Sequence, residues 1–285
     1  VGRLPEPEDI FEAAQRVIAE FPKGKEHPSQ TPGYAPTHPV HAGSTEDSDS
    51  LSAPSIEPEP GILAGKRIVI TAGGTREALD PVRFLGNRST GKQGVALAQA
   101  ARDMGASVHL IGANLEVPAP NGVELTRVVS AADLQRAVLK SISGADALVM
   151  SAAVADFRPA DYAEYKIKKT ADPDDNPVIR LARNPDILRE VVQRRQQLGG
   201  GPRLIVGFAA ETGSPDKTPL ELGREKLTRK GCDFLAVNTV GISQGFGTDE
   251  NTVTLISSLT DEAPVFSGSK GEVSRDILTT LATYL

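Results

Sequence analysis

Tryptophan is missing from this 285-residue chain, and all aromatic residues together make only 4%. A core must therefore rest on Val, Ile, Leu and Ala. Cysteine is almost missing too. The single Cys232 excludes an internal disulfide framework and fits a reducing, cytoplasmic setting. With no His nearby in sequence and a buried strand pattern following, Cys232 reads as packed structure rather than as a nucleophile. No apolar run reaches the roughly 18 residues that suggest a membrane span, and no signal-peptide pattern is present. Positive charge is not in excess: 31 Lys and Arg against 37 Asp and Glu leave a net charge of −6. That argues against a broad nucleic-acid surface but not against a local basic pocket for a phosphorylated small molecule. What is present, 39% hydrophobic and 24% charged residues, is ordinary globular composition, enough for one large domain or two small ones.

The chain opens at Val1 with a helical pattern. Ile10, Phe11, Ala14, Val17 and Ile18 fall on one face, so residues 1–20 predict a helix. Nothing nearby covers that face, as expected for a piece cut from a longer chain. Residues 21–61 carry Pro22, Pro28, Pro32, Pro36, Pro39, Pro54, Pro58 and Pro60 and read as a disordered linker. Three histidines, His27, His38 and His41, scatter through it as linker residues rather than a metal site. The fourth, His109, sits in a strand pattern and reads as packed.

Residues 62–285 predict an α/β fold: a three-layer, Rossmann-like, doubly wound and mostly parallel sheet, closed by a C-terminal β-hairpin and a final helix. Strands are expected at 66–72, 107–111, 123–128, 146–151, 204–208 and 234–237. Helices are expected at 89–104, 131–143, 219–230 and 270–285, and another from Pro185 with Asn184 as its N-cap. The hairpin is expected at 251–258 and 263–266.

The stretch GNRSTGKQG, 86–94, is almost a Walker A phosphate loop, yet Gln93 stands where the Mg²⁺-binding Ser or Thr belongs. Such a loop also leaves the first strand directly, whereas here the strand ends at TAGGT, 71–75. A dinucleotide fingerprint is absent as well, which disfavours a Rossmann-type NAD(P) oxidoreductase. Two glycine turns are left to approach one sheet end, Ala72–Thr75 and Asn87–Gly91. Both would offer backbone N–H groups, and the second adds a helix N-terminus, a combination suited to a polyphosphate.

GGTREALDPVRFLGNRSTGKQG, SAAVADFRP, KIKK, NPDIL, GFAAET and KLTRKGCDFLAVN occur in the order found in phosphopantothenoylcysteine synthetase, which this chain resembles over residues 62–285. That family is the ligase half of bacterial bifunctional coenzyme A biosynthesis proteins. GRLPEPEDI resembles the last stretch of the flavin-dependent decarboxylase half. The resemblance thus implies a decarboxylase remnant at 1–20, a linker at 21–61 and a ligase domain at 62–285, with FMN belonging only to the missing half. The implied reaction joins L-cysteine to 4′-phosphopantothenate through an acyl-cytidylate, with CTP as co-substrate and Mg²⁺ supporting the triphosphate. The family further implies a homodimer through the ligase domain and higher assembly of the full chain, in the cytoplasm, without membrane or nucleic-acid partners. A non-catalytic nucleotide-binding module is the rival reading.

Residue by residue, the resemblance implies that Asn87 stabilises the acyl-cytidylate; on residues alone it is also a turn residue. Arg83 would help hold the substrate or intermediate, and is equally a loop arginine. Gly73, Gly74, Ser89, Thr90, Gly91 and Gly94 lie in the two phosphate-approaching turns. Met150, Ser151 and Ala152 would meet the nucleotide through their backbone, and Asp156 would bind it or its metal. Lys166, Lys168 and Lys169 would form a mobile flap, with Lys166 neutralising developing charge. Asn184, Pro185, Asp186 and Ile187 would add nucleotide contacts, and Phe208 would pack on the nucleotide. Lys226 and Lys230, at i and i+4, project from one helix face; two like charges so placed repel unless an anion lies between them. The family often has two serines where this chain has Ser89-Thr90, which keeps the hydroxyl. No motif places the cysteine pocket.

Overall fold

A computed structural model describes residues 60–169, 171, 172, 176–239 and 249–285. The helix expected at 1–20, the three linker histidines and nearly all of the linker lie outside these residues.

The chain enters the fold through β1 (Arg67–Gly73), whose run of Val and Ile is buried on both faces, as a central parallel strand requires. It is followed by two short strands, β2 (Arg76–Ala78) and β3 (Phe84–Gly86), and helix α1 (Lys92–Asp103). Then come β4 (Ser107–Ala113), β5 (Glu124–Val128), α2 (Ala131–Ser141) and β6 (Ala147–Met150). Two more short strands, β7 (Phe157–Pro159) and β8 (Leu181–Arg183), precede α3 (Ile187–Leu198). The chain ends with β9 (Leu204–Glu211), α4 (Pro219–Lys230), β10 (Phe234–Thr239), β11 (Glu250–Ser257), β12 (Val265–Ser269) and α5 (Lys270–Ala282).

Eight strands form one sheet in the order β12-β11-β10-β9-β6-β1-β4-β5. From β10 to β5 every pairing is parallel, while β11 pairs antiparallel with both β10 and β12. The chain runs outward from β1 through β4 to β5, then returns to place β6 on the other side of β1. Strand order therefore reverses between β1 and β6, where open α/β sheets carry their ligand crevice. Each face of the sheet has its own core. Leu97, Ala101, Ile277 and Leu281 of α1 and α5 pack on Ile68, Ile70 and Val206. On the opposite face, Leu134, Val138, Val191 and Leu227 of α2, α3 and α4 pack on Val69, Leu148 and Ile205. This is the expected three-layer arrangement with its closing hairpin.

Several boundaries differ from expectation. The first helix begins at Lys92 rather than Ser89 because Gly91 takes a left-handed conformation, φ 89°, that interrupts it. Asn184 does not cap α3. Asp186 does, its side chain accepting from the Arg189 N–H, while the Asn184 amide donates to the Ala155 carbonyl at 2.8 Å. The final helix stops at Ala282, and the last strand runs over Val265–Ser269.

Two small hairpins have no counterpart in the expectations. β2 pairs with β3 and β7 with β8, each over three residues and outside the main sheet. The first is tied down by Glu77, a buried carboxylate that accepts from the Ala131 N–H at the start of α2. Arg76 covers the Phe84 ring, 4.7 Å from its centroid. Three-residue strands are too short to announce themselves by alternation.

Candidate active site

At the strand-order reversal lies a cavity of about 910 Å³, lined by Asn87–Gln93, Met150–Phe157, Asn184–Leu188, the end of β9, Lys226 and Lys230 on α4, and Asn238, Asn251 and Lys270.

The floor is the loop after β6. Its Ala153 N–H donates to the Gly73 carbonyl at 2.8 Å, and the Thr75 N–H donates back to the Ala153 carbonyl at 3.1 Å. The buried hydroxyls of Thr71 and Thr75 accept from the Ala152 and Ala155 N–H groups at 3.1 and 3.0 Å. Asn184 closes this net by donating its main-chain N–H to the Asp156 carbonyl. The Ala152 N–H is thus engaged internally, so Ala152 has a carbonyl and a methyl, not a donor, to offer a ligand.

Gly73, Gly74 and Gly94 are not brought to the cavity wall. The Gly74 N–H donates to the Ala113 carbonyl. A Cβ on Gly73 would stand 1.9 Å from the Ala113 oxygen, and one on Gly94 would stand 2.4 Å from the Ala72 Cβ. These glycines let backbone meet backbone and helix meet strand.

The second turn behaves differently. Asn87, Ser89, Thr90 and Gly91 all line the cavity. Among the described residues, no hydrogen bond uses the main-chain N–H of Ser89, Thr90 or Gly91. Helix α1, which follows, has no side-chain cap and no acidic residue in its first turn. By contrast α2, α3, α4 and α5 carry Asp133, Glu190, Glu221 and Glu272 there. An uncapped helix start facing a cavity leaves donors and a positive dipole end for an anion.

The opposite wall holds Asn184, Pro185, Asp186 and Ile187 with Lys226 and Lys230. The two lysines do face the cavity, but the expectation that only an anion could relieve their repulsion is corrected. Lys226 pairs with Glu211 at 2.8 Å and Lys230 with Asp186 at 2.6 Å, so each is already balanced by a carboxylate. Phe208 is half-buried between the cavity and the core that α1 and α5 cover. Met150, Ser151 and Asp156 stand on the floor. The Asp156 carboxylate makes no hydrogen bond or ion pair among the described residues, and it is exposed. Among those residues no cluster of three metal-ligating side chains occurs.

Arg83, Lys166, Lys168 and Lys169 do not line the cavity. Arg83 forks onto Asp80, its Nε 2.9 Å from Oδ2, and the three lysines are exposed.

Sequence reasoning missed Lys92, Gln93, Asn238, Asn251 and Lys270. Gln93, which there looked only like a lost metal ligand, is a seam residue. Its side chain accepts from Asn251 and donates to Ser274, both at 2.9 Å. Lys92 pairs with Asp249 at 2.7 Å. Lys270 opens α5 and is 8% exposed. Burial, then the nearby charge of Lys92, lowers its pKa, partly offset by Asp249. No local motif marks Asn251 or Lys270, because only the C-terminal antiparallel pairing carries them to the start of α1.

A family model described as the DNA/pantothenate metabolism flavoprotein C-terminal domain matches residues 63–285. The Coenzyme A biosynthesis bifunctional protein CoaBC of Mycobacterium tuberculosis is 49% identical over 226 residues, 78% of this chain and 53% of that protein. The protein of the same name from Mycolicibacterium smegmatis is 42% identical over 287 residues, 100% of this chain and 60% of that one. The chain thus spans little more than half the length of these curated relatives. The crystal structure of a C-terminal domain of Coenzyme A biosynthesis bifunctional protein CoaBC superposes with a TM-score of 0.62 at 33% identity, covering 78% of this chain and 97% of that one.

Proposed function

The chain belongs to the DNA/pantothenate metabolism flavoprotein C-terminal domain family, and from that premise we propose that it joins 4′-phosphopantothenate to L-cysteine at the cavity, with CTP as co-substrate. The observation that carries this reading is the convergence of Asn87–Gly91, Met150–Asp156, Asn184–Ile187, Phe208, Lys226 and Lys230 on one cavity. Those segments lie far apart in the sequence, and the fold brings them together at one strand-order reversal.

In the proposed chemistry a carboxylate oxygen of the acid attacks the α-phosphorus of CTP. The bond from that phosphorus to the bridging oxygen breaks and pyrophosphate leaves. The cysteine amine then attacks the acyl carbon, the acyl–oxygen bond breaks, and CMP departs as the nitrogen loses its proton. Two anions meet at the first step and an oxyanion develops at the second, so fixed donors matter most. The uncapped N–H groups at 89–91 suit a phosphate, and the Asn87 amide donates to the acyl or phosphoryl oxygen without adding charge. Lys226, Lys230 and the Asn184–Ile187 turn hold the nucleotide from the far wall. Ser151 and Ala152 present small side chains to it beside Met150, and Phe208 packs against it.

A Mg²⁺ ion carried by the triphosphate needs only one or two protein carboxylates. Asp156, exposed at the cavity and without a partner among the described residues, fits that demand; the ion would supply charge neutralisation there. Lys166, Lys168 and Lys169 are the flap of this reading, outside the cavity and accessible. Val82, Phe84, Phe157 and Leu181 on the two small hairpins are 47–62% exposed, and β2 packs beside β7. These exposed apolar side chains support a homodimer reading, which sedimentation of Phe84→Asp against the parent tests.

Pyrophosphate release with CTP, Mg²⁺ and 4′-phosphopantothenate, with and without cysteine, tests the reaction. Acid-dependent release, followed by CMP and ligated product when cysteine is added, is the expected result. CTP binding with no release under any combination means a binding module and overturns the reading.

A further inference from the structure

Asp80 is 2% exposed at the tip of the β2–β3 hairpin, outside the cavity. Its Oδ1 accepts from the Val82 and Arg83 N–H groups, both at 2.8 Å. Its Oδ2 accepts from the Arg83 guanidinium and, at 3.2 Å, from the N–H of Ile167. Arg83 then returns to the same residue, donating from Nη2 to the Ile167 carbonyl at 2.8 Å. The Leu79 carbonyl adds a third tie, accepting from the Ala163 N–H at 3.0 Å. Both main-chain polar groups of Ile167 are therefore held by one carboxylate–guanidinium pair, 84 and 87 residues away in sequence. The lysines beside Ile167 are exposed. The same hairpin runs through β3 (Phe84–Gly86) straight into Asn87 on the cavity wall.

We propose that Asp80 is a positioning residue: through Arg83 and Ile167 it latches the basic run Lys166, Lys168 and Lys169 to the hairpin that carries Asn87. This rests on the ligase reading for its consequence, though not for its geometry. Arg83 chiefly, and the main-chain donors after it, hold the Asp80 carboxyl well below the usual carboxylate range. The latch therefore stays charged throughout the neutral range and does not act as a pH switch. A carboxylate can accept from all these donors at once. An asparagine cannot, because its NH₂ faces donors with another donor. A segment held in place over an acyl-cytidylate keeps water from it, so release of the latch should uncouple the two half-reactions.

The test compares Asp80→Asn with the parent chain in two assays. In the first, CMP and ligated product are counted together. The parent should form them at about one to one. The variant should lose kcat by about tenfold or more, with the CMP-to-product ratio rising at least twofold as the intermediate is hydrolysed. A merely structural defect lowers both products equally and leaves the ratio unchanged, and that result overturns the proposal. In the second, limited trypsin digestion without substrates follows cleavage after Lys166, Lys168 and Lys169. It should accelerate several-fold in the variant relative to cleavage elsewhere, and unchanged rates overturn the latch even if the parent proves not to ligate. Should Asp80→Asn fail to fold, Ile167→Pro removes the held N–H from the other side and should give the same ratio and digestion changes.

Discussion

Two glycine turns, Ala72–Thr75 and Asn87–Gly91, look alike in the sequence and do opposite work. In the first, the Gly74 and Thr75 N–H groups are engaged by Ala113 and Ala153, and Gly73 leaves no room for a Cβ. That turn knits β1, β4 and the loop after β6 into a floor. In the second, Ser89, Thr90 and Gly91 keep their N–H groups clear of other partners among the described residues and face a cavity. A glycine permits close approach, but the sequence does not say whether a ligand or another strand approaches.

If this contrast holds, changes in the two turns should fail in different ways. The largest effect is expected from Gly73→Ala. It combines φ 87° with a Cβ only 1.9 Å from a backbone oxygen, and should cost about 4 kcal/mol in urea unfolding. Asn87→Ala should do the reverse. Acid-dependent pyrophosphate release should fall about 100-fold or more, as when one preorganised donor is removed, with the urea midpoint hardly moved. Comparable stability losses in both variants would erase the distinction.

Thr75→Val sharpens the floor half of the comparison. Val fills the same fully buried space but strands the Ala155 N–H, a cost of about 1–3 kcal/mol. Nucleotide KM should change little at temperatures where the variant stays folded. Lys226→Ala tests the far wall instead. It should raise the KM for CTP roughly tenfold, as loss of one charge-assisted contact would, and leave Glu211 without its ion pair.

The smallest effect serves as a background far from both turns. Burial raises the Cys232 thiol from 9.0 to about 11. Because the folded value lies above the unfolded one, this contribution to stability is complete below pH 9 and is lost as pH rises toward 11. At pH 9 the loss is about 0.4 kcal/mol, measurable as the difference from Cys232→Ala in urea unfolding. Alkylation of Cys232 at pH 8 should be slow until urea is added.

Long elements with strong periodicity were legible: the Val- and Ile-rich run of β1 and the apolar stripe of α5. The three-residue strands β2, β3, β7 and β8 were not, since so short a run carries no period. Asn184 misled because Asn before Pro is a common cap, and here its amide went instead to a carbonyl 29 residues earlier. Asp80 was invisible as a latch. In sequence DPVR is a turn, and nothing local says that Ile167 will meet it.

The order of the motifs, the α/β alternation and the residue types around each turn are one-dimensional properties, and they sufficed for fold class and family. Which donors remain available was decided only in three dimensions. A buried N–H needs an acceptor, and whether Gly74 finds Ala113, or Ile167 finds Asp80, depends on strands and loops brought together from distant parts of the chain. The cavity exists where β1 and β6 separate the two halves of the sheet, and the glycine turn that reached it, rather than the one buried beneath it, became its wall.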